Sequence, residues 1–175
     1  MIAALDDFVT RVSHDTWTND NVDDLLCVLE HSTTDHPVGL LTRIEPMALA
    51  IARHALARGG VAGDDIAEQL GGCVRHREEA ESLLMAFVKD RHERTRRIAL
   101  LSLARLQSAA VPSLAAAAWD TGDEYQRIGA LEALRIVGSD LLPEYVSKAV
   151  EDGRPHLLAN VHRLAPDAVR PSDRA

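Results

Sequence analysis

A run of residues in the second half of the chain recurs in similar form, and the second copy is offset by 30 from the first. Residues 97–106 read Arg-Ile-Ala-Leu-Leu-Ser-Leu-Ala-Arg-Leu, and residues 127–136 read Arg-Ile-Gly-Ala-Leu-Glu-Ala-Leu-Arg-Ile. An aspartate precedes each copy, Asp90 and then Asp120, and an apolar residue with a proline follows each one. A helical repeat of this length predicts stacked helix pairs, because a single pair cannot bury its own apolar face.

The composition is that of a helical domain that lies in water. The 175 residues are enough for one domain with a continuous core, and aromatic residues make up only 3% of them. No stretch approaches the roughly 20 apolar residues of a membrane span, and the first residues lack the basic segment of a signal peptide. We therefore expect a cytoplasmic protein, in which Cys27 and Cys73 are reduced and buried.

The excess of acidic residues lies in the first half of the chain. Residues 1–89 hold 15 acidic and 7 basic residues, a net charge of −8, whereas residues 90–175 hold 12 of each. An acidic surface attracts basic proteins and repels phosphate backbones, so the charge favours a basic protein partner over nucleic acid. Acidic residues also keep a protein soluble without any partner, and both interpretations stay open.

Apolar residues at helical spacing predict helices along most of the chain, and no run alternates as a strand would. Capping residues, prolines and paired glycines mark the ends of these helices. Two apolar stripes lie near the start, one over residues 5–12 and one over residues 22–29. The further helices are expected at about 45–58, 64–70, 77–89, 93–106, 111–119, 124–137, 143–151 and 155–164. Residues 166–175 have no stripe and are expected to form a frayed tail.

The segment 90–164 resembles an array of HEAT repeats of the short bacterial type. The residues that carry the resemblance are the aspartate before each first helix, the Arg-Ile run, the turn at Gly138, and Pro112 and Pro143 at the start of each second helix. The resemblance implies an all-α fold, a right-handed α-solenoid of stacked antiparallel helix pairs whose second helices line the concave face. Residues 1–165 would form one domain, with 1–89 a degenerate or irregular helical part.

A search for catalytic or metal-binding motifs returns little. His31, Asp35 and His36 can share one loop, but two histidines in a loop bind a metal only weakly without a third ligand that is held in a fixed position. We therefore expect no metal and no cofactor. Neither cysteine has a basic neighbourhood that would activate its thiol. HEAT-like lyases and DNA glycosylases use the same fold, and an enzyme acting through Asp120 or Asp123 is therefore an alternative.

Two groups of side chains are candidates for binding a protein partner. Aromatic residues are favoured anchors in interfaces because they offer a large area with few rotatable bonds. The first group combines aromatic and acidic residues: Trp119, Asp120, Asp123, Glu124, Tyr125 and Tyr145. The second group is acidic and lies near the start of the chain: Asp6, Asp7, Asp20, Asp23 and Asp24. The rings can instead fill the space between repeats, and acids at a helix start can simply complement the helix dipole.

These observations predict a non-catalytic protein-interaction module with a basic partner. The leading hypothesis is a bacterial immunity protein that neutralises a basic nuclease-type toxin, since acidic inhibitors meet basic nucleases faster through electrostatic steering. A regulatory adaptor of an endogenous enzyme is the other non-catalytic alternative. The sequence leaves the oligomeric state open.

Overall fold

The computed structural model describes residues 11, 16–18, 20–24, 27, 45–58 and 63–164. No strand occurs in this part of the chain, and residues 20–24 are helical. Eight further helices follow: α1 Glu45–Arg58, α2 Gly63–Leu70, α3 Arg77–Phe87, α4 Glu93–Arg105, α5 Val111–Asp120, α6 Glu124–Ile136, α7 Leu142–Asp152 and α8 Pro155–Leu164. The expected all-α solenoid is confirmed. The stripe over residues 5–12 and the tail lie outside the described residues.

Local chemistry explains where the helices begin and end. Pro112 and Pro143 stand in the first turns of α5 and α7, where a missing N–H costs nothing. Asp123 caps α6 by accepting a hydrogen bond from the Gln126 amide at 2.9 Å. Gly153 ends α7 in the left-handed conformation, with φ 74°. The predicted helix boundaries are accordingly close to those of the structure.

The structural repeat has a period of 31, and the expected offset of 30 is wrong by one. The helices α4, α6 and α8 begin at positions 93, 124 and 155, and α5 and α7 begin at positions 111 and 142. The turns agree with this period, because Gln107 and Gly138 both have positive φ, 54° and 63°. The two apolar-proline pairs, at positions 111–112 and 142–143, are also one such period apart.

Doubled letters in the sequence caused the error of one position. Arg96 stands beside Arg97, and Leu100 beside Leu101, so a shift of one still aligns arginine with arginine and leucine with leucine. At the structural period, Leu131 corresponds to Leu100, and both are buried. The offset of 30 would instead pair Leu131 with Leu101 and so predict that Leu101 is buried, but Leu101 is only partly buried.

The 31-residue period of buried positions also includes α3, although the clear repeats were expected to begin only at about residue 90. The buried residues of α3 are Ala80, Leu84 and Phe87, and the residues one period later are buried in α5: Val111, Ala115 and Ala118. The pairs α3–α4, α5–α6 and α7–α8 are therefore three equivalent units. Each unit covers the apolar face of the one before it.

The helices form two rows of different spacing. In the inner row, α4 packs directly against α6, and α6 against α8. Small residues allow this approach: a Cβ atom on Gly129 of α6 would lie 2.7 Å from Cγ of Arg97 on α4. In the outer row, α3, α5 and α7 do not pack on one another to a comparable extent within residues 77–164. The names inner row and outer row refer to this difference in packing alone.

The helices α5 and α7, which were expected on the concave face, belong to the more loosely packed outer row. Their place on the concave face stays a prediction. Cys73 is buried as expected, whereas Cys27 is exposed, because it lies off the apolar stripe that buries Val22. None of the helices in the described part combines the length and apolar character that a membrane crossing demands.

Candidate protein-interaction surface

The Trp119 and Tyr145 rings lie in a groove between the outer helices α5 and α7. The rings meet edge to face, with centroids 5.2 Å apart, and each residue is only 7% exposed. The guanidinium of Arg127, on the inner helix α6, lies 5.0 Å from the indole centroid. We call this the filled groove. Because the outer helices are widely spaced, the large rings are needed to fill it, and they are not free surface anchors.

A largely buried carboxylate closes the end of the filled groove. Asp152 accepts hydrogen bonds from Arg154 at 2.6 and 2.8 Å, and it pairs with Arg127. The bonds from Arg154, followed by that from Arg127, outweigh burial and lower the pKa of Asp152 to about 2. Arg154 also donates to the Gly122 carbonyl at 2.8 Å. The charges of this cluster therefore connect α6, α7 and the turn between α5 and α6.

The acids of the α5–α6 turn are largely engaged in holding helix ends. Asp123 caps α6, and one oxygen of Glu124 accepts hydrogen bonds from the His156 and Leu157 amides at 3.0 and 3.1 Å. The contact made by Glu124 satisfies free amides at the start of α8. Asp120 is exposed at the end of α5. Structural bonds thus account for Asp123 and Glu124, although Asp123, like Asp120, is exposed to solvent.

Tyr125 is the one aromatic residue of the first group that is open to solvent. It is 49% exposed at the start of α6, in the inner row. The Arg97 guanidinium lies 5.7 Å from the centroid of the ring, and the centroid of the His156 ring lies 6.1 Å away, with 21° between the two ring planes. We call Arg97, Tyr125 and His156 the inner ladder. Each member comes from a different inner helix, so the stack of helices fixes their spacing.

Arg97 and His156 are not among the residues that the sequence predicted for a binding surface. Arg97 forms an ion pair with Glu93, one turn earlier on the same helix, and the distance from Arg97 Nε to Glu93 Oε1 is 2.9 Å. The signal for His156 was available in the sequence, since position 156 follows position 125 by one structural period. Equivalent positions of stacked repeats lie side by side, so the corrected period alone would have paired the two rings.

The acidic group near the start of the chain is only partly described. Asp6 and Asp7 lie outside the described residues. Asp20 and Asp24 are exposed. Asp23 contacts His54 Nε2 at 2.9 Å and accepts from Arg58 at 3.1 Å. The hydrogen bond with His54 is the main cause that lowers the pKa of Asp23.

The Cys73 thiol lies in surroundings that keep it in its neutral form. Burial is the main cause that raises the pKa of Cys73 to about 11, and the nearby Glu45 adds to it, so this thiol stays protonated at neutral pH. Among the described residues, no group of three or more His, Cys, Asp or Glu side chains could hold a metal ion. The loop with His31, Asp35 and His36 lies outside the described residues.

Fold and surface together define an α-solenoid built from short helix pairs, with one half-exposed aromatic ladder on its inner row. Residues 65–135 match the family model of HEAT repeats, which confirms the resemblance over positions 90–135 of the expected array. No curated protein and no solved structure matches the chain significantly. Repeats of this kind are typical of protein-interaction modules.

Proposed function

We propose that this chain is a non-catalytic module that binds a basic protein partner against its inner row, with Tyr125 as the central anchor. The observation that carries the proposal is the inner ladder. A half-exposed ring that contacts both Arg97 and His156 is already oriented, so little side-chain freedom is lost when a partner covers it. Tyrosine and arginine are also the residue types that dominate binding energy in interfaces.

The charge distribution supports a basic partner. The net charge of −8 arises within residues 1–89, where Asp20, Asp24 and Glu78 are among the exposed acids. Charges at the edge of an interface act chiefly on the rate of encounter, whereas a central anchor acts on the lifetime of the complex. The two features can therefore serve one partner, with the acidic half steering it and the inner ladder holding it.

The specific partner that we propose is a basic nuclease-type toxin, which makes the chain a bacterial immunity protein. An inhibitor of such an enzyme must bind before damage is done, and acidic charge raises the association rate. A toxin gene next to the gene for this chain would favour immunity over a regulatory adaptor. The enzymatic alternative receives no support from Asp123, because its carboxylate is engaged as a helix cap.

Affinity capture with variants of the inner ladder tests the proposal. Purified chain is used to capture its partner from lysate at low salt, and the captured protein is identified by mass spectrometry and produced separately. We expect Tyr125→Ala to weaken binding of that protein by about tenfold or more. The matched control is Val74→Ala, which removes an exposed apolar side chain in the α2–α3 turn and should bind as the wild type does.

Two results would contradict the proposal. One is a Tyr125→Ala variant that keeps its fold and binds the captured protein as tightly as wild type. The other is a captured protein whose net charge is acidic. Circular dichroism of each variant establishes that its helices are intact, which the exposure of Tyr125 leads us to expect.

A further inference from the structure

An open groove lies one repeat before the filled groove. It is a cavity of about 170 Å³ between the outer helices α3 and α5. Val88 and Leu114 form its walls, and Arg96 and Leu100 of the inner helix α4 form its floor. The rim includes Thr121, which is exposed, so the cavity opens to solvent. We call this the open groove.

The walls of the two grooves correspond through the structural period. Val88 of the open groove is equivalent to Trp119 of the filled groove. Leu114 is equivalent in the same way to Tyr145. The filled groove therefore carries two aromatic rings where the open groove has two smaller aliphatic side chains, and the missing volume is the cavity.

The floors of the two grooves correspond as well, but their charges differ. Arg127 of the filled groove lies against an indole and pairs with Asp152. Its equivalent in the open groove is Arg96, and Thr121 stands in the place of Asp152. Among the described residues, Arg96 forms no ion pair, and its hydrogen bonds go to main-chain carbonyls of the α3–α4 turn at 2.9 and 3.0 Å.

We propose that the open groove binds an aromatic side chain of the protein partner, beside an acidic residue of that partner whose carboxylate pairs with Arg96. The filled groove shows what satisfies this geometry within the same chain: a ring against the guanidinium and a carboxylate at its end. The volume fits one ring, since an engineered apolar cavity of about 150 Å³ takes benzene. A cation beneath an aromatic face adds to the packing of the ring.

This inference rests on the proposed function only in taking a protein as the source of the ring. A partner that is basic overall can carry one acidic residue beside an aromatic one. The open groove binds this aromatic residue and its acidic neighbour, whereas the overall charge of the partner acts at longer range.

A small-molecule probe tests the site without any knowledge of the partner. The probe is indole-3-propionate, which joins an indole ring to a carboxylate, and indole alone is the neutral comparison. Binding is followed by NMR of the labelled methyl groups of Val88, Leu100 and Leu114. We expect saturable shifts of these methyl signals with both probes, and tighter binding of indole-3-propionate by about tenfold, because a charge-assisted pair adds to the packing.

Two sets of substitutions separate the roles of shape and charge. Thr121→Asp changes an exposed residue and supplies a carboxylate to Arg96, so it should remove the advantage of indole-3-propionate over indole. The combination Val88→Trp with Leu114→Tyr copies the filled groove and should abolish binding of both probes. Methyl signals that do not shift in the wild type would overturn the proposal. So would a folded Thr121→Asp variant that keeps the tenfold preference.

Binding of the partner to the variants distinguishes failure of this inference from failure of the proposed function. If Tyr125→Ala loses the partner while the Val88→Trp and Leu114→Tyr variant retains it fully, the proposed function stands and the open groove is not part of the interface. If both probes bind as expected but no protein is captured, the open groove is a binding site, and the claim that a protein partner supplies the ring is wrong.

Discussion

At the scale of single residues, the stability of the chain depends on side chains that recur with the structural period. Leu100 and Leu131 occupy equivalent positions, and burial removes both from water. Leu101, one position further, keeps part of its side chain in solvent. The difference matters because a buried leucine loses both transfer energy and packing when it is truncated.

Leu131→Ala and Leu100→Ala should each lower the free energy of unfolding by about 2–5 kcal/mol, as core truncations do. Leu101→Ala is the matched control and should cost clearly less, because it leaves a smaller cavity. Urea unfolding followed by circular dichroism measures all three. A larger loss for Leu101→Ala than for Leu100→Ala would show that the offset read from the sequence describes the packing better than the structural period does.

Asp152 makes part of the stability depend on pH. Its pKa of about 2 in the folded chain lies below the ordinary value of 3.8, so its contribution is present above pH 3.8 and is lost as the pH falls toward 2. Asp152→Asn should therefore cost about 1–2 kcal/mol at pH 7, and this cost should shrink in acid. Unfolding free energies at pH 7 and near pH 3 measure the difference.

The exposed Asp120 provides the comparison for this measurement. Asp120→Asn removes a carboxylate at the end of α5, where the side chain is open to solvent, and it should change stability little at either pH. If Asp152→Asn costs the same at both pH values, its charge is not what holds α6 and α7 together.

At the scale of helices, the turns determine how each pair is closed. Gly138 has φ 63° after α6, and a Cβ atom added there would meet nothing within 4 Å. The cost of Gly138→Ala should thus come from the backbone alone, about 1 kcal/mol. Gly72→Ala is the control, since Gly72 is exposed and has no positive φ. Equal thermal midpoints for the two variants would contradict this explanation of the turn.

The sequence predicted the helices well because the residues that begin and end a helix act locally. Prolines, caps and glycines act on the residues beside them, so the bounds of α5 and α6 could be deduced without knowledge of the packing. Register and burial are not local in this way. The doubled arginine and leucine letters concealed the period, and nothing local shows that wide spacing of the outer helices buries Trp119 and Tyr145.

At the scale of the whole molecule, the inner row and the outer row differ in how closely their helices pack. The inner row presents the inner ladder on a rigid support, because its three members come from three helices that pack directly. The outer row contains one groove filled by the chain itself and one left open. The acidic excess belongs to residues 1–89, apart from the electrically balanced second half.

The dissociation constant of the purified complex, measured against salt concentration, tests the central claim most directly. The claim is that an acidic chain holds a basic protein partner on its inner row. Raising salt from about 0.05 M to about 0.5 M should weaken binding by about tenfold or more, chiefly through slower association. Tyr125→Ala should instead speed dissociation at every salt concentration. A dissociation constant that stays the same across this range would contradict the account.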